Sequence, residues 1–390
     1  MKTYYSKIYK ANGDYISTLK DVNFSGFRKQ INGGLGELVF TIPKKFDDFD
    51  EDYLIKLNNQ VELWVSDSDT GSDGIRIYSG FISRYEPFIN NGAEGVTIRC
   101  LGYVSKLATS ILKHNTYIEL QTDSSAGLKD SVGGSASACE IKTIIKAIID
   151  RHQSDSNNPK INYSSTSVES CGNTLTYSFT GVFYLEALTK CLEAAPTNWY
   201  WYIGADNIIK FQGKPNQATH TFMFGKDFKN IKIEKNMESV VNSVLVSNND
   251  TILKRFKDNT SIDSFDDRWE IKSDERVTDS TTATNMGDSA LAEKKDADVR
   301  VVVEILDNNG AESGYDIESI QPGNTCRFTG FNDTTSEIFS NNMFIKGVDY
   351  TPDMVILEIE SLKPSIAREL ANTTNKVYMQ ESTNRLKTYT

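Results

Sequence analysis

Through the first hundred residues, apolar side chains recur at every second position in short runs, and turn dipeptides separate the runs. A period of two lets a pleated strand bury one face, and it cannot give a helix a coherent apolar stripe. In ELVFTIP, Leu38, Phe40 and Ile42 alternate with polar or small neighbours, and QVELWV, IRIYSGFI and VTIRCLGYV continue the pattern. Asn12-Gly13 sits between SKIYK and DYISTL, where a tight hairpin needs two residues tolerant of positive φ. Gly33-Gly34 and Asn91-Gly92 mark further turns. Short strands with frequent turn signals predict an N-terminal β-barrel domain over residues 1–115, with a short helix after Gly102.

The texture changes over residues 116–226, which read as a small inserted α/β domain. Ser137-Ala138-Cys139-Glu140 has the spacing of a capping box. Ile141, Ile144, Ile145, Ile148 and Ile149 then form one apolar helix face. A second helix, from about Val182 to Ala194, buries Leu185, Leu188 and Leu192 before Pro196 stops it. WYWYIG and NIIKFQG pair around Asp206-Asn207. Trp199 and Trp201 point one way and the tyrosines the other, so one face suits a core and the other an oligomer or partner interface, for which Trp199 and Trp201 are the candidates.

Strand signals return over residues 227–363, predicting a second β-barrel that contains a helix at 281–295. There VRVVVEIL is a buried strand and FIKGVDYTPDMVILEIESL a hairpin turning at Thr351-Pro352-Asp353. Residues 364–390 read as a C-terminal helix opened by Pro364, with Ile366, Leu370 and Val377 as a thin stripe for a partner. The fold class is therefore mainly β with α+β parts: two β-barrels, the insertion and the terminal helix.

Composition narrows the function. A net charge of −11 argues against stable wrapping of nucleic acid, which needs lysine and arginine to displace counterions, yet suits a conduit that DNA must not stick to. The five cysteines are scattered with no CxxC spacing, which indicates neither a disulfide framework nor a zinc site and fits synthesis in a reducing cytoplasm. The N-terminus lacks the apolar core of a signal peptide, and no run is long enough to span a bilayer, so stable membrane binding is not expected.

A search for chemistry returns no catalytic, cofactor or metal residue. His114, His152 and His220 are far apart, and His152 reads as a helix-end residue. GGSAS is not the GxSxG elbow, and Gly33-Gly34-Leu35-Gly36 lacks dinucleotide-loop spacing. Asp67, Asp69 and Asp73 could hold calcium, but Tyr78 stands where the bidentate Glu belongs, so a solvated loop is favoured, as it is for Asp47 to Asp52. Residues 258–275 hold seven acids against two bases and suit a charged surface ribbon or a lumen-facing strip.

The order of these marks resembles the phage tail baseplate hub and siphophage tail-tip hub family, shared with contractile bacteriocins and secretion spikes. The marks are GELVFTIPKKFDDFD, NNQVELWV and IYSGFISRYEP, then Val240-Val241-Asn242-Ser243-Val244, Pro322-Gly323 and Tyr350-Thr351-Pro352-Asp353-Met354. The resemblance runs to about Leu362. It implies a non-enzymatic virion subunit at the tail tip, a homotrimer closed by head-to-tail contacts. Its partners would be the distal tail or tube protein, a tip fibre or spike protein and the tape-measure protein, with DNA passing transiently through the lumen. Relatives that continue into a peptidase or carbohydrate-active domain make the end after one helix an expected absence of that activity. The alternatives are a receptor- or carbohydrate-binding tail adhesin, argued from the WYWY strand, and a tail-associated cell-wall hydrolase, argued from family habit.

Overall fold

The computed structural model describes residues 3–20, 22–34, 36–43, 54–66, 74–90, 93–114, 117–130, 135–155, 160–215, 217–248, 251–307, 315–330 and 342–360. The expected terminal helix with Ile366, Leu370 and Val377, the Asp67–Asp73 loop and the Asp47–Asp52 run lie outside them.

The chain is mainly β, and its largest element is one sheet of 13 strands. The period-two runs become its N-terminal half. Thr3–Tyr9 pairs with Tyr15–Lys20 across the Asn12-Gly13 turn and with Gln60–Ser66 on its other side. Ile75–Asn90, Ala93–Gly102, Glu37–Ile42 and Asn23–Gln30 continue the ladder. Leu38 and Phe40 are fully buried, as their alternation requires.

The C-terminal half joins this ladder directly. Met343–Tyr350 pairs with Asn23–Gln30 in the register Val348 to Lys29 and Tyr350 to Phe27. It also pairs with Met354–Glu360, which leads through Asp298–Leu306 to Ile231–Asn236. Thr325–Thr329 pairs with Met343–Tyr350, and His220–Met223 runs parallel to Thr325–Thr329. The two expected barrels are thus one continuous ladder, and among the described residues no strand pair closes either half. Buried residues of both halves, Phe27 and Phe40 with Val301 and Leu357 among them, belong to a single core. Alternation marks which face is buried and carries nothing about which edge meets which, so closure was not written in the period.

The second core belongs to the helical part. Among the described residues the α-helices are α1 (Val104–Thr109), α2 (Ile141–Asp155), α3 (Tyr184–Ala194), α4 (Asn259–Phe265) and α5 (Ser280–Lys294). The five isoleucines of α2 are all buried, and α3 packs against α1, α2 and α5. Asp279 caps α5 by accepting from the amides of Thr281 and Thr282 at 2.8 and 3.0 Å. The cap expected at Ser137 does not form. Cys139–Glu140 is a short strand paired with Thr174–Leu175, and the Ser137 hydroxyl accepts from the Ser124 amide instead. Val244, Val246, Val277, Ala283, Met286 and Ala290 join this core although they follow residue 226 in the chain. Gly287 of α5 lets the Phe256 ring close on the helix, because a Cβ there would meet ring carbon Cζ at 2.6 Å.

Candidate assembly surfaces

Two places bring aromatic rings and charge together: the WYWY hairpin and the sheet built from residues 243–273. Trp199–Ile203 pairs with Ile209–Gly213 through a turn in which Asn207 takes a φ of +64°. The alternation of this strand directs its side chains as its sequence requires. Trp201 is 1% exposed and lies in the helical core; Trp199 is half-buried with its ring 4.9 Å from that of Phe211. The tyrosine face is covered too. Tyr200 and Tyr202 stack at 6.2 Å and share a small cluster with Ile31 and Phe344.

That cluster ties the helical part to the large sheet. Tyr200 donates its hydroxyl to the Gly323 carbonyl at 3.0 Å, and its ring meets Phe344 edge-on at 4.9 Å. Asn32 clamps the strand from the N-terminal half. Its amide donates to the Trp201 carbonyl at 2.7 Å, and its side-chain oxygen accepts from the Trp201 amide at 3.0 Å. The WYWY strand therefore spends its rings and backbone mainly inside the chain, and the alternative reading of a glycan platform there has half-buried Trp199 alone to offer.

The second surface is open. Ser243–Ser247 lies between Leu253–Lys257 and Trp269–Ser273. One face of this sheet, with Val244 and Val246, packs into the helical core. The other carries Leu253 and Ile271, 69% and 68% exposed, with Leu245 between their strands. Trp269, 44% exposed, lies beneath two cations: the Lys257 ammonium is 4.7 Å and the Arg255 guanidinium 5.5 Å from its ring centre. An exposed face of three large apolar residues with bound cations suits a protein contact better than bulk solvent.

The acidic stretch at 258–275 is largely occupied within the chain. Asp258 caps α4 and pairs with Lys295 at 2.9 Å, Asp267 meets Ser243 and Lys257, and Glu270 pairs with Lys294 at 2.9 Å. Asp274 accepts from Tyr177 at 2.8 Å and meets Arg276 and Lys190 at 2.9 and 3.0 Å. Burial raises its pKa, but these bonds outweigh that and leave it at about 2. Spacing could not reveal this, because the partners Tyr177 and Lys190 lie far away in sequence.

The histidines do not converge. His114 faces Asp130 at 2.9 Å, and His152 meets Tyr184 edge-on at 5.0 Å. His220 bonds Asn324 at 3.0 Å and the Tyr315 hydroxyl. Among the described residues no three His, Cys, Asp or Glu side chains gather as metal ligands, and no helix is long and apolar enough to cross a membrane.

No protein-family model and no curated protein matches the sequence. Solved structures do match its fold. The 43 kDa tail protein of prophage MuSo2 from Shewanella oneidensis aligns over 92% of this chain and 97% of its own, at 10% identity and a TM-score of 0.60. A tail protein from Neisseria meningitidis MC58 aligns over 92% of this chain and 96% of its own, at 12% identity and a TM-score of 0.61. The prophage tail protein gp18 from Listeria monocytogenes EGD-e covers 95% of this chain and 98% of its own, at 9% identity and a TM-score of 0.56. The chain thus shares, over nearly its whole length, the fold of proteins described as phage tail components.

Proposed function

We propose that the chain is a structural hub subunit of a phage or phage-derived tail tip. Three copies form a ring that joins the tail tube to the distal tip and lets DNA pass. The observation that carries this reading is the end-to-end match of fold to the MuSo2 tail protein, 92% of one chain against 97% of the other. Agreement over that length supports a shared overall architecture more than one common domain would.

The role is mechanical, without catalysis. A head-to-tail ring needs two different complementary surfaces on each copy, and the Leu253–Trp269–Ile271 face is a suitable half of one. The tube protein, the tape-measure protein and a fibre or spike are the partners this reading assigns. Purified protein should give trimer mass by light scattering and rings with a central hole in negative-stain micrographs. A monomer at tens of micromolar that adds to no tail tube would refute the reading. A monomer that binds host glycans through Trp269 would instead support the adhesin reading, which the exposed ring beneath Lys257 and Arg255 favours.

A further inference from the structure

A cleft of about 740 Å³ opens between the N-terminal half of the sheet and the helical part. Its walls come from the Asn12 turn, the segment at Asn58, α1 with the residues after it, the end of α2 and the start of α3. Lys106, Lys113 and Lys160 line it together with His152, and among the described residues no Asp or Glu does. That is unusual placement in a chain whose net charge is −11. None of the three lysines forms an ion pair with a described residue. Asp14, next to the Asn12 turn, is bonded to the Asn12 side chain at 2.8 Å.

The charge at Lys106 is poorly compensated. Its ammonium donates to the neutral amide oxygen of Asn58 at 2.6 Å and lies 3.8 Å from the Phe81 ring centre. Burial lowers its pKa, the direction expected of a cation that lacks an anionic partner. The Lys160 ammonium lies against the hairpin turn, 3.4 Å from where a Cβ on Gly13 would stand. Low-dielectric walls around like charges focus the field on whatever anion enters.

Apolar lining narrows the class of anion. Ile111 and Ile118 are 43% and 48% exposed, and both face the cleft with Phe81 and Tyr184. Bare phosphate and polyol phosphates offer nothing to such side chains. A nucleic acid would present a regular line of phosphates to an open groove with stacking platforms, whereas this cleft offers branched aliphatics. We infer that the cleft docks an acidic polypeptide segment carrying aliphatic or aromatic anchors, presented by a neighbouring protein. Acids of the segment meet the lysines, and its anchors cover Ile111 and Ile118. The inference does not depend on the ring, which is scored separately by mass.

The test uses the full chain and a fluorescein-labelled peptide in which Asp and Glu alternate with Leu and Phe, followed by anisotropy at low salt. Binding is expected to weaken with added salt. It should weaken about tenfold or more in Lys106→Met with Lys160→Gln, the scale for losing hydrogen bonds to charged groups. Lys113→Gln, at an exposed position, tests the same charge without threatening the fold and should weaken binding in the same direction. Three results overturn the proposal: no binding by the wild-type chain, equal binding of the peptide with Asn and Gln in place of its acids, or tighter binding of a single-stranded oligonucleotide or of glycerol phosphate.

Discussion

Gly323→Ala is the substitution that most directly tests how the helical part is held to the sheet. Gly323 has a φ of +89°, a region that costs a residue with a Cβ about 1–2 kcal/mol. The added Cβ would also stand 2.7 Å from both Cζ and the hydroxyl oxygen of Tyr200. That ring cannot swing aside, since Tyr202 stacks on it, Phe344 meets it edge-on and it is 2% exposed. Overpacking of this kind costs a further ~1–3 kcal/mol. The expected total is roughly 2–5 kcal/mol. Urea unfolding followed by tryptophan fluorescence reads it, because Trp201 lies on the same strand as Tyr200. The two contributions separate in a cycle with Tyr200→Ala. Without the ring, Gly323→Ala should cost only the backbone share of about 1–2 kcal/mol. A total below ~1 kcal/mol, or the same penalty in both backgrounds, would show that this contact is not the tie described.

Three further outcomes are expected. Burial lowers the pKa of His220 below its ordinary 6.5, with the Asn324 bond opposing, so the unfolded chain binds the extra proton first. The stability it contributes is present above about 6.5 and is lost as pH falls toward the folded value, and His220→Gln should flatten that slope in melting temperature against pH. Asp274 works on the acid side: its pKa of about 2 lies below the ordinary 3.8, so its stabilisation holds above that value and disappears as pH falls between the two. Asp274→Asn should cost about 2 kcal/mol at neutral pH in urea unfolding and little at the acid limit. Ile271→Glu, on the exposed sheet face, should leave monomer stability within about 0.5 kcal/mol while reducing the fraction of the proposed trimer by mass photometry; an unchanged fraction would remove this face from the proposed ring contact.

Local chemistry was legible in the sequence and distant partnership was not. The hairpins at Asn12-Gly13, Asp206-Asn207 and Thr351-Pro352-Asp353 form where their turn residues put them, and α5, Ser280–Lys294, falls within a residue of the helix expected at 281–295. The isoleucine face of α2 was equally readable, because its period is a property of neighbouring residues. Ser137 misled because a capping-box spacing is also compatible with a strand, and Thr174–Leu175, which pairs with Cys139–Glu140, lies beyond the intervening helix. The period of Trp199 to Tyr202 separated the tryptophans from the tyrosines, but nothing local says that Trp201 lies in the helical core or that Ile31 and Phe344 cover the tyrosines. The lysine cleft left no signal, since Lys106, Lys113 and Lys160 sit at no common spacing and only the fold subtracts the acids around them.

The strand Met343–Tyr350 shows why the parts should behave as one body. Its backbone pairs with strands of both halves of the sheet, and Tyr350 stacks on Phe27 at 4.4 Å across the join. Beside that contact Glu358 holds Arg28 of the N-terminal half at 2.7 Å and Arg300 of the C-terminal half at 3.3 Å. At the strand's other end Phe344 enters the tyrosine cluster of the helical part, and Ile345 exchanges backbone bonds with the Gly323 turn. A force applied to any of the three parts thus reaches the other two through a paired strand and buried rings, not through a linker. Close-packed interiors transmit strain because they compress little. In the proposed hub role, a subunit held between a tube and a tip needs that property more than it needs any single reactive residue.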